Sequence, residues 1–159
     1  EDKSGFSQAL QQATQILRKM AGDAYRPWFR APGGYMAPWM APVLAEHGYT
    51  VDSSINPSWL VKRKAGKGNS WADVNQSLQD SNLVSRPWKT SLSLPMNGPA
   101  LSLFPLSILA RWSWRKAPPS IEAKDIDRAI TDSKTKVTTL YWHLLDHARK
   151  KATWEPPFQ

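Results

Sequence analysis

The chain has 159 residues, 41% of them hydrophobic, enough to bury the core of one domain. No apolar run of about 18 residues occurs, which argues against a transmembrane span, and residues 1–20 are too polar for a signal peptide, so any secretion signal would lie upstream. With 21 Lys and Arg against 13 Asp and Glu the net charge is +8, and the lack of Cys excludes disulfides and thiolate ligands without choosing a compartment.

Phe6, Leu10, Ala13, Ile16, Leu17 and Met20 recur at helical spacing, so an amphipathic helix is predicted over residues 4–21, ending at Gly22. A strand follows and leads into Phe29-Arg30-Ala31-Pro32-Gly33-Gly34-Tyr35. Here a fixed cation stands beside a flexible backbone. Phe29 is apolar and β-favouring, Pro32 restricts φ, Gly33-Gly34 allows positive φ or close approach of a ligand, and Arg30 carries a charge that does not titrate. Two readings are open for Arg30: a structural salt bridge under a Gly-Gly turn, or a functional cation. Residues 38–48 read as a short helix closed by Gly48, and residues 49–54 as the next strand.

Residues 55–117 carry no repeat and the weakest pattern. Within them Lys62-Arg63-Lys64 and Lys67 share a loop with Gly66, Gly68, Asn69 and Ser70. The charges either face solvent or attract an anionic glycan, an envelope surface or nucleic acid. Leu92–Met96 alternates like a short strand, and Leu101–Trp114 is apolar, with a helix opening at Phe104-Pro105-Leu106. A further helix is predicted from Ser120, its N-cap, to about Ser133, with Ala123, Ile126 and Ile130 inward. Nine Trp residues are a heavy load. An indole face suits the C–H face of a pyranose, and Tyr35, Trp59, Trp112 and Trp114 are the candidate substrate-binding aromatics, each with core packing as the alternative.

Near the end, Val137–Trp142 is rich in β-formers and brings His143 to a strand terminus, where α/β folds keep working residues. His143-Leu144-Leu145-Asp146-His147 has His-x-x-x-His spacing, which on a helical turn puts both imidazoles on one face. A metal site there needs a further ligand, and His47 is the one His left.

Three segments, in order, resemble the later part of a polysaccharide deacetylase of the NodB-homology type, carbohydrate esterase family 4. Phe29–Gly34 is similar to that family's third motif, an Arg-x-Pro and a Gly-containing turn. Leu44-Ala45-Glu46-His47-Gly48-Tyr49-Thr50-Val51-Asp52-Ser53-Ser54-Ile55-Asn56-Pro57 resembles its Gly-Tyr, Asp-Ser-Ser passage, and Leu140-Tyr141-Trp142-His143 its last motif. The resemblance implies an α/β fold, the later half of a distorted (β/α) barrel, as one partial domain over 1–159 with a variable insertion at about 55–117. It implies an N-deacetylase of polysaccharides or amino sugars that uses a divalent metal, expected to be Zn, on N-acetylated glycans in the periplasm, the cell envelope or outside the cell. In that reading Arg30 orients and keeps ionised the general base, Gly33 and Gly34 offer N–H groups to an oxyanion, His143 protonates the departing amine, and Asp146 tunes His143 or His147.

The family's first two motifs, which bring the base and the metal ligands, are missing, and no Asp-Asp pair occurs. They are expected before residue 1, so the chain alone is expected to lack metal and activity. Two other functions are open: a non-catalytic glycan-binding or scaffold remnant, and a basic nucleic-acid-binding protein, for which no motif speaks.

Overall fold

The computed structural model describes residues 2–91, 94–95, 105, 107–109, 112 and 122–139. The chain forms two compact units, one of Glu1–Ile55 with Arg63–Ser85, the other of Asn56–Lys62 with Arg86–Gln159. Among the described residues no helix is long and apolar enough to cross a membrane.

In the first unit, helix α1 (Lys3–Ala21) starts where the Asp2 carboxylate accepts the Gly5 N–H at 2.8 Å, and ends at Gly22, whose φ is +50°. Arg18 and Lys19 lie in its last turn, where they offset the negative end of the helix dipole. Helix α2 (Met40–Glu46) tolerates Pro42 because the first-turn N–H groups have no intrahelical acceptor. It closes at Gly48, φ +77°, with Tyr49 N–H donating to the Leu44 carbonyl at 3.0 Å. Helix α3 (Trp71–Asp80) opens on a reciprocal cap: Ser70 N–H donates to Asp73 at 2.7 Å, and Asp73 N–H to Ser70 Oγ at 3.3 Å.

Strands β1 (Trp28–Phe29), β2 (Val51–Asp52) and β3 (Val84–Ser85) form a parallel sheet in the order β1-β2-β3. The register aligns Trp28 with Val51 and Val84, and Phe29 with Asp52 and Ser85. Met36, Leu44, Val51, Val74 and Leu78 are buried almost completely. Phe6 meets Phe29 and Trp39 edge to face, at centroid distances of 6.1 and 5.5 Å.

The stripe on α1 behaves differently from its prediction. Leu10 is buried and Phe6 half-buried, but Ala13, Ile16, Leu17 and Met20 are exposed, Met20 by 80%. At 1.5 Å per residue α1 is roughly 28 Å long against roughly 10 Å for α2, so its second half runs past the layer that its first half covers. Thr14, bonded through Oγ1 to the Tyr49 hydroxyl at 2.8 Å, marks the limit of burial.

In the second unit, β4 (Thr90–Ser91) and β5 (Leu94–Pro95) pair antiparallel where one strand over 92–96 was expected. A 3-10 turn at Ala123–Asp125 leads into α4 (Ile126–Thr131). Its buried residue is Ala129, with Ile126 and Ile130 half-buried, and the expected cap Ser120 lies outside the described residues. Arg86 holds this region together: its guanidinium donates to the carbonyls of Ala129, Ile130, Asp132 and Thr135 at 2.6–3.0 Å.

Candidate functional site

The C-terminal ends of β1 and β2 are tied by main chain and side chain together. Ser53 N–H donates to the Phe29 carbonyl at 2.9 Å, which carries the parallel ladder one step beyond the strands. Asp52 then turns the chain on itself: its carboxylate accepts the Ser54 N–H at 2.9 Å and the Ser54 hydroxyl at 2.6 Å. A side-chain acceptor bonded to the N–H two residues on is the local turn that Asp favours. Ser54 Oγ in turn accepts the buried Ala31 N–H at 2.8 Å, so a carboxylate on β2 fixes the first residue after Arg30.

Asp52 is fully buried. Burial pushes its pKa up to about 6, against the two Ser54 hydrogen bonds and the positive charge of Arg30. Its oxygens accept from Ser54, and through that bond Asp52 positions the turn. Arg30 is exposed, and its Nε donates to Ser53 Oγ at 3.2 Å.

Pro32–Gly34 forms a 3-10 turn in which Gly33 and Gly34 take φ of +64° and +70°, a region closed to most L side chains. No atom lies within 4 Å of where a Gly33 Cβ would sit, so conformation and not crowding demands glycine there. Gly34 N–H donates to the Ala31 carbonyl at 3.0 Å. That bond closes the turn and engages one of the two N–H groups proposed for an oxyanion. Lys64 Nζ donates to the Gly33 carbonyl from the other side, and the Lys64 carbonyl accepts Met36 N–H at 2.9 Å. Tyr35 follows the turn, 40% exposed.

Arg30, Gly33, Gly34 and Tyr35 therefore come together in the first unit. Trp59 and Trp112 belong to the second unit and are 60% and 53% exposed. Trp114, His143, Asp146 and His147 lie outside the described residues. His47 Nε2 is hydrogen-bonded to Ser7 Oγ at 2.8 Å. Among the described residues no three His, Asp or Glu side chains gather as a ligand set. The described residues therefore offer no ligand set for the metal that the motifs imply.

Asp52 and Ser54, read only as part of the Asp-Ser-Ser passage, and Lys64, read only as part of the basic loop, have no assigned role beside Arg30 in the motif reading. The Asp-x-Ser spacing was a usable signal for the first two, since it encodes the local turn. Nothing in the spacing of Lys64 points to Gly33, a contact across 31 positions. Comparison of the chain with protein-family models, with curated proteins and with solved structures found no match.

Proposed function

We propose that this chain is the later portion of a metal-dependent N-deacetylase acting on N-acetylated polysaccharides or oligosaccharides of the cell envelope or exterior. The observation that carries the reading is the cluster at the ends of β1 and β2, where Arg30 and the Gly33-Gly34 turn are held in one place by Ser53, Ser54 and Asp52. An exposed cation at a parallel strand end, just before a glycine turn, suits the orientation of a carboxylate base and its retention in the ionised form. The metal ligands and the base come from outside the described residues in this reading. His143, also outside them, protonates the departing amine, which must leave neutral.

Acetate release from N-acetylglucosamine oligomers by the full-length, metal-supplemented gene product tests the proposal. Release that falls about 10²- to 10⁴-fold in kcat for His143→Ala, with KM little changed, supports it. No release overturns it. The exposed indoles of Trp59 and Trp112 favour a second reading, a glycan-binding remnant, which saturable binding of the same oligomers without acetate release would select.

A further inference from the structure

Between Ser53 and Ala72 the chain carries Lys62, Arg63, Lys64 and Lys67 and no Asp or Glu. Arg63, Lys64 and Lys67 belong to the first unit, and all three are exposed. No described carboxylate pairs with any of them; the ion pair among the described residues joins Lys124 to Glu122 at 2.7 Å. Exposed cations with no described carboxylate beside them give a positive field that attracts anions and that salt screens.

The segment that bears these charges is fixed in place. Lys64 is bonded at both ends, by its ammonium to the Gly33 carbonyl and by its own carbonyl to Met36 N–H. Gly66, at φ +94°, lies so close to the Tyr35–Ala37 segment that an added Cβ would stand 3.0 Å from Ala37 Cβ and 3.5 Å from the Tyr35 hydroxyl. Three cations are thus presented beside an exposed phenol ring on the turn that follows Arg30. Much of the ordering cost of binding is already met.

We propose that Arg63, Lys64 and Lys67, with Tyr35, form a docking surface for an acidic glycan whose carboxylate sugars flank the unit held at the Gly33-Gly34 turn. The ring packs on the C–H face of a sugar, and the cations take its carboxylates. Charge alone would also draw a duplex, but the exposed ring of Tyr35 beside the cations suits a sugar face, and no nucleic-acid-binding motif occurs in the chain. A glycan with one carboxylate per disaccharide matches the three cations in number. The choice of a glycan rests on the deacetylase reading, but the binding test does not need activity.

The test compares a hyaluronan hexasaccharide, a neutral N-acetylglucosamine hexamer and a short DNA duplex across a salt series by calorimetry, on the full chain. Hyaluronan is expected to bind about tenfold more tightly than the neutral hexamer at low salt, with the advantage shrinking as salt rises. The double variant Arg63→Gln/Lys67→Gln keeps the Lys64 bond to Gly33, and it is expected to weaken hyaluronan binding about three- to tenfold while leaving the neutral hexamer unchanged. Lys134→Gln/Lys136→Gln, in the second unit, serves as the control. Equal binding of the two glycans, an equal loss in the control, or tighter binding of the duplex overturns the proposal. Acetate release without a hyaluronan preference removes this surface and leaves the deacetylase; hyaluronan binding without acetate release does the reverse.

Discussion

Arg30 and Arg86 are the same residue put to opposite uses. Arg86 is 8% exposed and gives its guanidinium to four main-chain carbonyls. Three of those acceptors, in Ala129, Ile130 and Asp132, lie at the C-terminal end of α4, where carbonyls lack intrahelical partners and the helix dipole is negative. Burial lowers the Arg86 pKa and the Asp132 charge opposes that shift. Arg30 is exposed, its Nε rests on the Ser53 hydroxyl, and the carboxyl it influences already has its own hydrogen bonds. An arginine enclosed by carbonyls is part of the scaffold. In the proposed reading, one that stands exposed at a strand end beside a Gly-Gly turn orients a carboxylate base.

The largest expected effect is on the scaffold side. Arg86→Ala leaves four carbonyls without their donor and should cost about 3–4 kcal/mol of stability, read from urea unfolding midpoints. Arg86→Lys should recover less than half, because an ammonium lacks the planar fork that reaches four acceptors. A loss below about 1 kcal/mol for Arg86→Ala would erase the distinction between the two arginines.

Asp52 sharpens the comparison through pH. Its folded pKa of about 6 lies above the ordinary 3.8, so between those values the folded state binds more protons than the unfolded state, and stability falls as pH rises. The burden is on the order of 2–3 kcal/mol, fully present above about pH 6 and relieved as pH drops toward 4. Asp52→Asn should abolish this slope, so wild type should gain on the variant between pH 7 and pH 4.5 in parallel urea titrations. A constant difference would mean that Asp52 does not titrate in that window.

The smallest stability effect belongs to Arg30. Arg30→Ala removes the bond from an exposed guanidinium to Ser53 Oγ, among its other interactions, and should cost less than about 1 kcal/mol. Because the Arg30 charge lowers the Asp52 pKa, the same variant should move the Asp52 transition to higher pH. Destabilisation equal to that of Arg86→Ala would make Arg30 a scaffold residue and remove its proposed role.

Helix termini were the most legible features in the sequence. The limits of α1 at Gly22 and of α2 at Gly48 follow from glycine, and both have the positive φ that glycine supplies. The strands were legible as runs but not as lengths: residues 49–54 read as one strand, yet β2 is Val51–Asp52, flanked by ladder bonds at Thr50 and Ser53, and it stops where Ser54 turns back onto Asp52. Helix α3 went unrecognised, although Ser70 and Asp73 spell its cap, since Trp71, Val74 and Leu78 give a thin apolar stripe in a polar stretch. Arg86 was invisible for a different reason. Its partners are main-chain carbonyls, and a carbonyl leaves no mark in a sequence.

Parallel strands two residues long have a kinetic consequence. Pairing Trp28 with Val51 closes a loop that contains α2, and pairing Val51 with Val84 closes one that contains α3. Each closure loses chain entropy that a two-residue ladder scarcely offsets. The two-residue ladders are therefore expected to form no earlier than the packing of the helices around Leu44, Val74 and Leu78, which closes the same loops and brings Arg30, Ser54 and Asp52 together. Native-state hydrogen exchange should then show the Ala31 and Ser53 amides, at the strand ends, opening more readily than the amides inside α2 and α3.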